Sequence, residues 1–253
     1  MNIKNNVIVV TGAAQGLGKQ IAIRLGKLGA KLALIDLEQQ KLESLQTDLA
    51  NLDIESQYYI ADVTCENQVE EIFQAIQSRF GQINALVNNA GIIRDHFLNK
   101  QNKNGSISSM SLSNWQSVID VNLTGVFLCA RQASKIMIES QTAGVIVNIS
   151  SISKAGNLGQ SNYSAAKSGV VALTVTWAKE LAKNGIRVGA IAPGFVQTEM
   201  TQSMKPEILQ QIESAIPLKR IGQPDEIAHA VQFILENDYF SGRVIEVDGG
   251  LRI

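Results

Sequence analysis

Tyr163 and Lys167 stand four residues apart in the segment SNYSAAK, 161–167. On a helix that spacing puts both side chains on one face. A free phenol titrates near about 10, too high for ready proton exchange at neutral pH, and a nearby ammonium favours the phenolate. The pair can therefore act as a proton donor and the charge that tunes it. Ser150 closes the apolar run GVIVNI, 144–149. At the carboxyl edge of a sheet its hydroxyl can reach a cleft and orient a substrate oxygen. Its neighbour Ser151 is expected to point the other way if the strand continues. Asn122 interrupts an apolar helical pattern, WQSVIDVNLTGVFLCA, where asparagine is a poor helix former. Read from the residues alone, it is a buried amide pairing with local backbone.

A hydride carrier would complete such a site. The first apolar run, VIVV (7–10), leads into TGAAQGLGKQIA. Gly12, Gly16 and Gly18 fall where the strand must turn into a helix, so the backbone can approach a pyrophosphate at a helix N-terminus. The second run, KLALI (31–35), ends at Asp36. A carboxylate there can accept from adenosine ribose hydroxyls and would repel a 2′-phosphate. Ala13, Ala14, Gln15 and Leu37 supply no basic partner for that phosphate, so NAD(H) is favoured over NADP(H).

The elements that must position these residues are legible as an alternation. Strands are expected at 7–10, 31–35, 56–60, 84–87, 144–149, 186–192 and 243–247, mostly without polar alternation and so buried on both faces. Helices are expected at roughly 17–29, 38–50, 66–80, 112–140, 161–184 and 224–236. This rhythm predicts an α/β fold: a single Rossmann-type, doubly wound parallel sheet of about seven strands, one domain over 1–253. The polar stretch 99–111 reads as a loop. Residues 195–223 read as a substrate loop or lid carrying a short helix.

Bulk properties narrow the function classes. The chain has 253 residues, 45% hydrophobic and 18% charged, with a formal net charge of −1. No basic excess recommends nucleic acid or anionic lipid as a partner. No apolar run reaches membrane-spanning length, and the N-terminal run is short for a signal peptide, so a cytoplasmic protein is expected. Cys65, Cys129, His96 and His229 have no metal-ligand spacing, and no metal is expected.

Seven segments together resemble the short-chain dehydrogenase/reductase family over essentially the whole chain. They are TGAAQGLG (11–18), Asp62-Val63, NNAG (88–91), Asn122 in DVNLTG, Ser150 in NISS, YSAAK (163–167) and PGFVQT (193–198). The resemblance implies that Gly12, Gly16 and Gly18, with Gln15 and Leu17, form the pyrophosphate loop. It implies that Asp62 and Val63 hold adenine, and that Asn89, Ala90 and Gly91 border the cofactor ribose. Pro193, Gly194, Val196 and Thr198 would cover the nicotinamide amide. Lys167 would also hold the nicotinamide ribose, Asn122 would tie a water to Lys167, and the match selects Ser150 over Ser151.

Within the family the wording is most similar to 3-oxoacyl-[acyl-carrier-protein] reductases. The implied reaction interconverts a ketone and a secondary alcohol, on an acyl thioester or another small molecule. A dehydrogenase of a polyol, a 3-hydroxyacyl-CoA or another secondary alcohol is the alternative, and a non-catalytic dinucleotide sensor a further one. The resemblance also implies a homotetramer. Val118, Val126, Val170, Leu173 and Trp177 are expected to serve its interfaces.

Overall fold

The computed structural model describes residues 1–199 and 206–252. Seven parallel strands form one sheet: β1 (Val7–Thr11), β2 (Lys31–Asp36), β3 (Ser56–Ile60), β4 (Ala85–Asn88), β7 (Gly144–Ile149), β8 (Ile186–Pro193) and β9 (Arg243–Val247). Their order across the sheet is β3-β2-β1-β4-β7-β8-β9. The central strands are apolar at successive positions because both faces are covered. In β1, Ile8 and Val10 join one apolar layer while Val7 and Val9 join the other. Helices α1 (Gly16–Lys27), α2 (Gln39–Ala50) and α8 (Pro224–Glu236) cover the first face. Helices α3 (Glu66–Phe80), α5 (Gly125–Glu139) and α6 (Ser161–Glu180) cover the second. The thiol of Cys129 on α5 is buried in this second layer, which pushes its pKa up to about 12.

The chain winds outward from β1 through β2 to β3, then returns to place β4 on the other side of β1. Strand order reverses between β1 and β4. In sheets of this kind, ligands bind outside the carboxyl ends at such a reversal.

Two local expectations need correction. Residues 99–111 are not a plain loop: β5 (Asn99–Gln101) and β6 (Ile107–Ser109) form an antiparallel hairpin. Gly105, at φ +80°, permits its tight turn, and Asn102 N–H donates to Ser106 O at 2.8 Å. The helix expected over 112–140 is also not continuous. Helix α4 (Leu112–Ile119) and α5 are joined by a π-helical turn, Asp120–Thr124, that contains Asn122. Such turns let a side chain compete for backbone partners that a regular helix would keep to itself.

The segment expected to be a lid contains α7 (Pro206–Ala215). Residues 200–205 of that segment lie outside the described residues. No helix among the described residues is long and apolar enough to cross a membrane.

Candidate active site

A cavity of about 420 Å³ opens at the strand-order reversal. Gly12, Gln15, Gly16 and Leu17 from the turn after β1 line it, with Asp36 after β2, Asp62 and Val63 after β3, and Asn89, Ala90 and Gly91 after β4. Thr198 closes one side. Local sterics demand the glycines. Gly12 has φ +63°, and a Cβ there would stand 2.8 Å from Ala90 Cα. A Cβ on Gly18 would stand 2.0 Å from Gly12 O, so this residue supports the turn from behind. The loops after β1 and β4 are laced together. Thr11 Oγ1 accepts from the N–H groups of Asn89 and Ala90, both at 3.1 Å, and Asn89 Nδ2 donates to Gly12 O at 2.9 Å.

Asp36 is fixed by main-chain donors. Its Oδ2 accepts from Ala14 N–H at 2.9 Å, and its Oδ1 from Leu37 and Glu38 N–H at 2.7 and 3.2 Å. Each oxygen can accept more than one bond, so the carboxylate can still receive ribose hydroxyls. Asp62 behaves differently. Its Oδ1 accepts from Thr64 N–H and Oγ1, at 2.9 and 2.7 Å, which shapes the turn that presents Val63. A dinucleotide fits these residues: a close-approach glycine turn, a helix N-terminus and an anchored carboxylate.

Helix α6 carries Tyr163 and Lys167 on one face. A polar ladder beneath it sets its height on the sheet. Asn88 Nδ2 donates to Asn148 Oδ1 at 2.9 Å, and Asn148 Nδ2 donates to Thr174 Oγ1 at 3.0 Å. This chain links β4, β7 and α6 and pairs the Asn148 amide on both sides, while Asn88 Oδ1 has no hydrogen-bond partner among the described residues. Lys167 is 3% exposed and donates from Nζ to Ile149 O at 2.8 Å. Its Nζ lies 5.6 Å from the centre of the Tyr163 ring. Burial lowers the Lys167 pKa to about 8. The Tyr163 phenol moves the other way from the sequence expectation: burial raises it, the Ser151 hydroxyl lowers it through a hydrogen bond, and the Asp95 charge raises it. Desolvation outweighs what the chain alone offers to stabilise a phenolate.

The two serines of this strand end are placed differently. Ser150 is 2% exposed, and its Oγ donates to Lys167 O at 2.9 Å, underneath α6. Asn148, two residues earlier, likewise bonds to α6, so positions 148 and 150 share a buried side of the strand. Ser151 is extended at φ −165° and ψ 157°, caps a 3-10 turn (Ile152–Ala155), and faces Tyr163. Alternation separates the two serines as expected, and the outer one lies near enough to Tyr163 to lower its pKa.

Asn122 is fully buried and pairs in both directions with one main-chain unit. Its Oδ1 accepts from Ile92 N–H at 2.9 Å, and its Nδ2 donates to Ile92 O at 2.7 Å. Asn122 Oδ1 and Lys167 Nζ converge on Gly91: a Cβ there would stand 2.6 and 3.6 Å from them. The side chain thus fixes the segment that borders the cavity rather than bonding Lys167 directly.

Tyr163, Lys167, Gly18, Pro193, Gly194 and Val196 lie outside the cavity lining. Gly194 packs against Asp248, and Val196 bridges to Gly222. Sequence reading missed Glu38, Ile92, Val121 and Glu199, which do line it. Of these, Glu38 carried a signal: it stands two residues beyond Asp36 at the same strand end. Among the described residues, no group of three or more His, Cys, Asp or Glu side chains could hold a metal ion.

A family model described as Enoyl-(Acyl carrier protein) reductase matches residues 12–252. The 3-oxoacyl-[acyl-carrier-protein] reductase FabG of Thermotoga maritima is 40% identical over 256 residues, covering 100% of each chain. A 3-oxoacyl-[acyl-carrier-protein] reductase of Synechocystis is 40% identical over 250 residues, covering 97% of this chain and 96% of that one. Among solved structures, one titled as "a putative gluconate dehydrogenase" from Agrobacterium tumefaciens superposes with a TM-score of 0.91 at 31% identity, covering 98% and 96% of the two chains. The glycine turn, the doubly wound sheet and these full-length likenesses converge: the chain belongs to the short-chain dehydrogenase/reductase family and is an oxidoreductase acting on CH–OH groups with a nicotinamide dinucleotide.

Proposed function

We propose that this enzyme is an NAD(H)-dependent reductase of 3-oxoacyl thioesters, yielding 3-hydroxyacyl thioesters. The observation that carries the reading is buried Lys167 5.6 Å from the centre of the Tyr163 ring, with the Ser151 hydroxyl close enough to lower the phenol pKa, beside the cavity. The bound dinucleotide supplies the hydride. With substrate bound, the Ser151 Oγ–H turns from Tyr163 to the substrate carbonyl oxygen, Tyr163 Oη–H donates to the same oxygen, and together they fix its plane. Tyr163 gives its proton to that oxygen as negative charge develops there. Lys167 keeps positive charge beneath the phenol, and Asn122 holds the Ile92 segment against the site. Ser150 braces α6 from below.

Preference for NAD(H) is supported by charge. Asp36, Glu38, Asp62 and Glu199 all line the cavity, and its described lining contains no lysine or arginine. Lys41 reaches the rim, where it bonds Gln15 Oε1 and lies 3.8 Å from Glu199. A 2′-phosphate would add negative charge to a carboxylate-rich wall. The acyl thioester is supported by the names of the two relatives and by exposed Phe97, Leu98 and Leu158 on loops that His96 N–H ties together through Gly159 O at 2.8 Å. Steady-state rates with NADH and NADPH against acetoacetyl-CoA, an acyl-carrier β-ketoester and a panel of alcohols test this. The expected result is higher kcat/KM with NADH and with a β-keto thioester. Faster turnover with NADPH refutes the cofactor assignment.

A second reading has its own support. Asp95 sits close enough to Tyr163 to influence its proton. Its carboxylate could accept from hydroxyls of a polyol. Preference for a polyol in the same assay would favour it.

The homotetramer also belongs to this proposal, with different contacts from those expected. Val118, Val126 and Val170 are buried within the chain itself, and Leu173 and Trp177 are half-buried. Phe127 on α5 and Phe233 on α8 are 41% and 44% exposed and are better suited to subunit contacts. Sedimentation should give about four times the 27.4 kDa chain mass. A stable monomer refutes the tetramer.

A further inference from the structure

Lys154 lies in the 3-10 turn that follows Ser151, and three separate bonds hold it. Its N–H donates to Ser151 O at 3.1 Å, closing the turn. Its own carbonyl accepts from Ser168 Oγ at 2.6 Å, tying the turn to α6 one residue beyond Lys167. Its Nζ donates to Glu246 Oε1 on β9 at 2.7 Å, tying the turn to the sheet edge. Both side chains are largely shielded, at 20% and 32% exposure. Glu246 also accepts from Arg252, and these two cations hold its carboxyl below the usual range, so the pair is ionised at neutral pH.

Two of these ties come from outside the turn: Ser168 fixes it to α6, and Glu246 fixes it to β9. The 3-10 turn spans only four residues. Such a turn has few internal bonds and poor geometry, so it is soft by itself. Ser151 stands at its first end and must meet Tyr163 within hydrogen-bond distance. With Ser168 holding the turn to α6, anchoring the Lys154 side chain to β9 fixes the turn from its sheet side as well.

We propose that Lys154 and Glu246 are positioning residues: their ion pair clamps the Ser151 turn between β9 and the catalytic helix and so holds Ser151 on Tyr163. This rests on the reading of Ser151 and Tyr163 given above. Neither residue touches the reacting atoms. The consequence is specific, because the Ser151 hydrogen bond favours the Tyr163 phenolate. A looser turn weakens that bond, so Tyr163 loses its proton at higher pH.

The test compares Lys154→Met, Lys154→Arg and Glu246→Gln with Ser151→Ala in the full-length enzyme. Lys154→Met and Glu246→Gln should each lower kcat about tenfold, the scale of a small misplacement of a positioned group. KM for NADH should not change, and Lys154→Arg should retain most of the rate. The rising limb of alcohol oxidation against pH should move to higher pH in Lys154→Met, in the same direction as in Ser151→Ala. Thermal midpoints identify any variant that merely unfolds, and Glu246→Gln gives an independent reading if Lys154→Met does so. An unmoved limb in folded Lys154→Met and Glu246→Gln, with Ser151→Ala shifted, overturns the clamp and spares the catalytic reading. An unmoved limb and an unchanged rate in Ser151→Ala overturn the catalytic reading itself.

Discussion

Replacing Tyr163 by phenylalanine should lower kcat for ketone reduction by about 10³-fold, within the range that a positioned general acid supplies. The substitution keeps the ring and removes only the hydroxyl, whose pKa the nearby Ser151 hydroxyl lowers. The glycine turn, Asp36 and the Asn89 bonds to Thr11 and Gly12 do not involve that hydroxyl. NADH binding, read from its fluorescence, should therefore survive while turnover is lost. The native enzyme should also show a defined pH profile. Burial raises the phenol above its ordinary value, so Tyr163 keeps its proton through neutral pH. Burial lowers Lys167 to about 8, so its positive charge is present below that pH and is lost as pH rises through it. Ketone reduction should thus be fastest at neutral pH and decline above about 8. A Tyr163→Phe enzyme that keeps a tenth or more of the native rate would remove the tyrosine from the mechanism.

The order of elements is legible in the sequence because the central strands are largely apolar at successive positions. Such runs stand out when both faces of a sheet are buried, and the glycine turn after β1 marks where the ligand lies. The exceptions share a physical cause. Asn122 is visible as a misfit in a helix, but its partner, the Ile92 main chain, is 30 residues away in sequence. A π-helical turn made by such a contact has no local periodicity to reveal it. The hairpin at 99–109 is largely polar on both sides of its strands, so it lacks the alternation that marks a half-buried strand. Only Asn104-Gly105 signals its turn. Tyr163's pKa depends on how far desolvation exceeds nearby charge, and helix spacing alone carries no information on that balance. The valines assigned to subunit contacts show the same gap: a helical face can be placed from periodicity, but which neighbour covers it cannot.

The two serines give the sharpest separation between motif and geometry. Ser151→Ala should lower kcat about 10²-fold, the loss seen when one donor to a developing oxyanion is removed. Ser150→Ala should leave kcat within about threefold and instead cost about 1 kcal/mol of stability. The difference follows from direction. Ser150 N–H still pairs with Ile191 O at 2.7 Å, so its backbone continues the β7 ladder and its side chain keeps the strand's orientation toward α6. Its hydroxyl meets the Lys167 carbonyl there and cannot reach a substrate in the cleft at the same time. Ser151 has left the ladder, and its extended backbone turns its hydroxyl out to Tyr163 and the N–H of Ser153 at 3.1 Å. Thermal or urea unfolding should therefore register the inner serine, and turnover the outer one. If the larger catalytic loss came from Ser150→Ala in a folded enzyme, the donor to the carbonyl would have to be the inner hydroxyl, released from the Lys167 carbonyl and swung out from beneath α6.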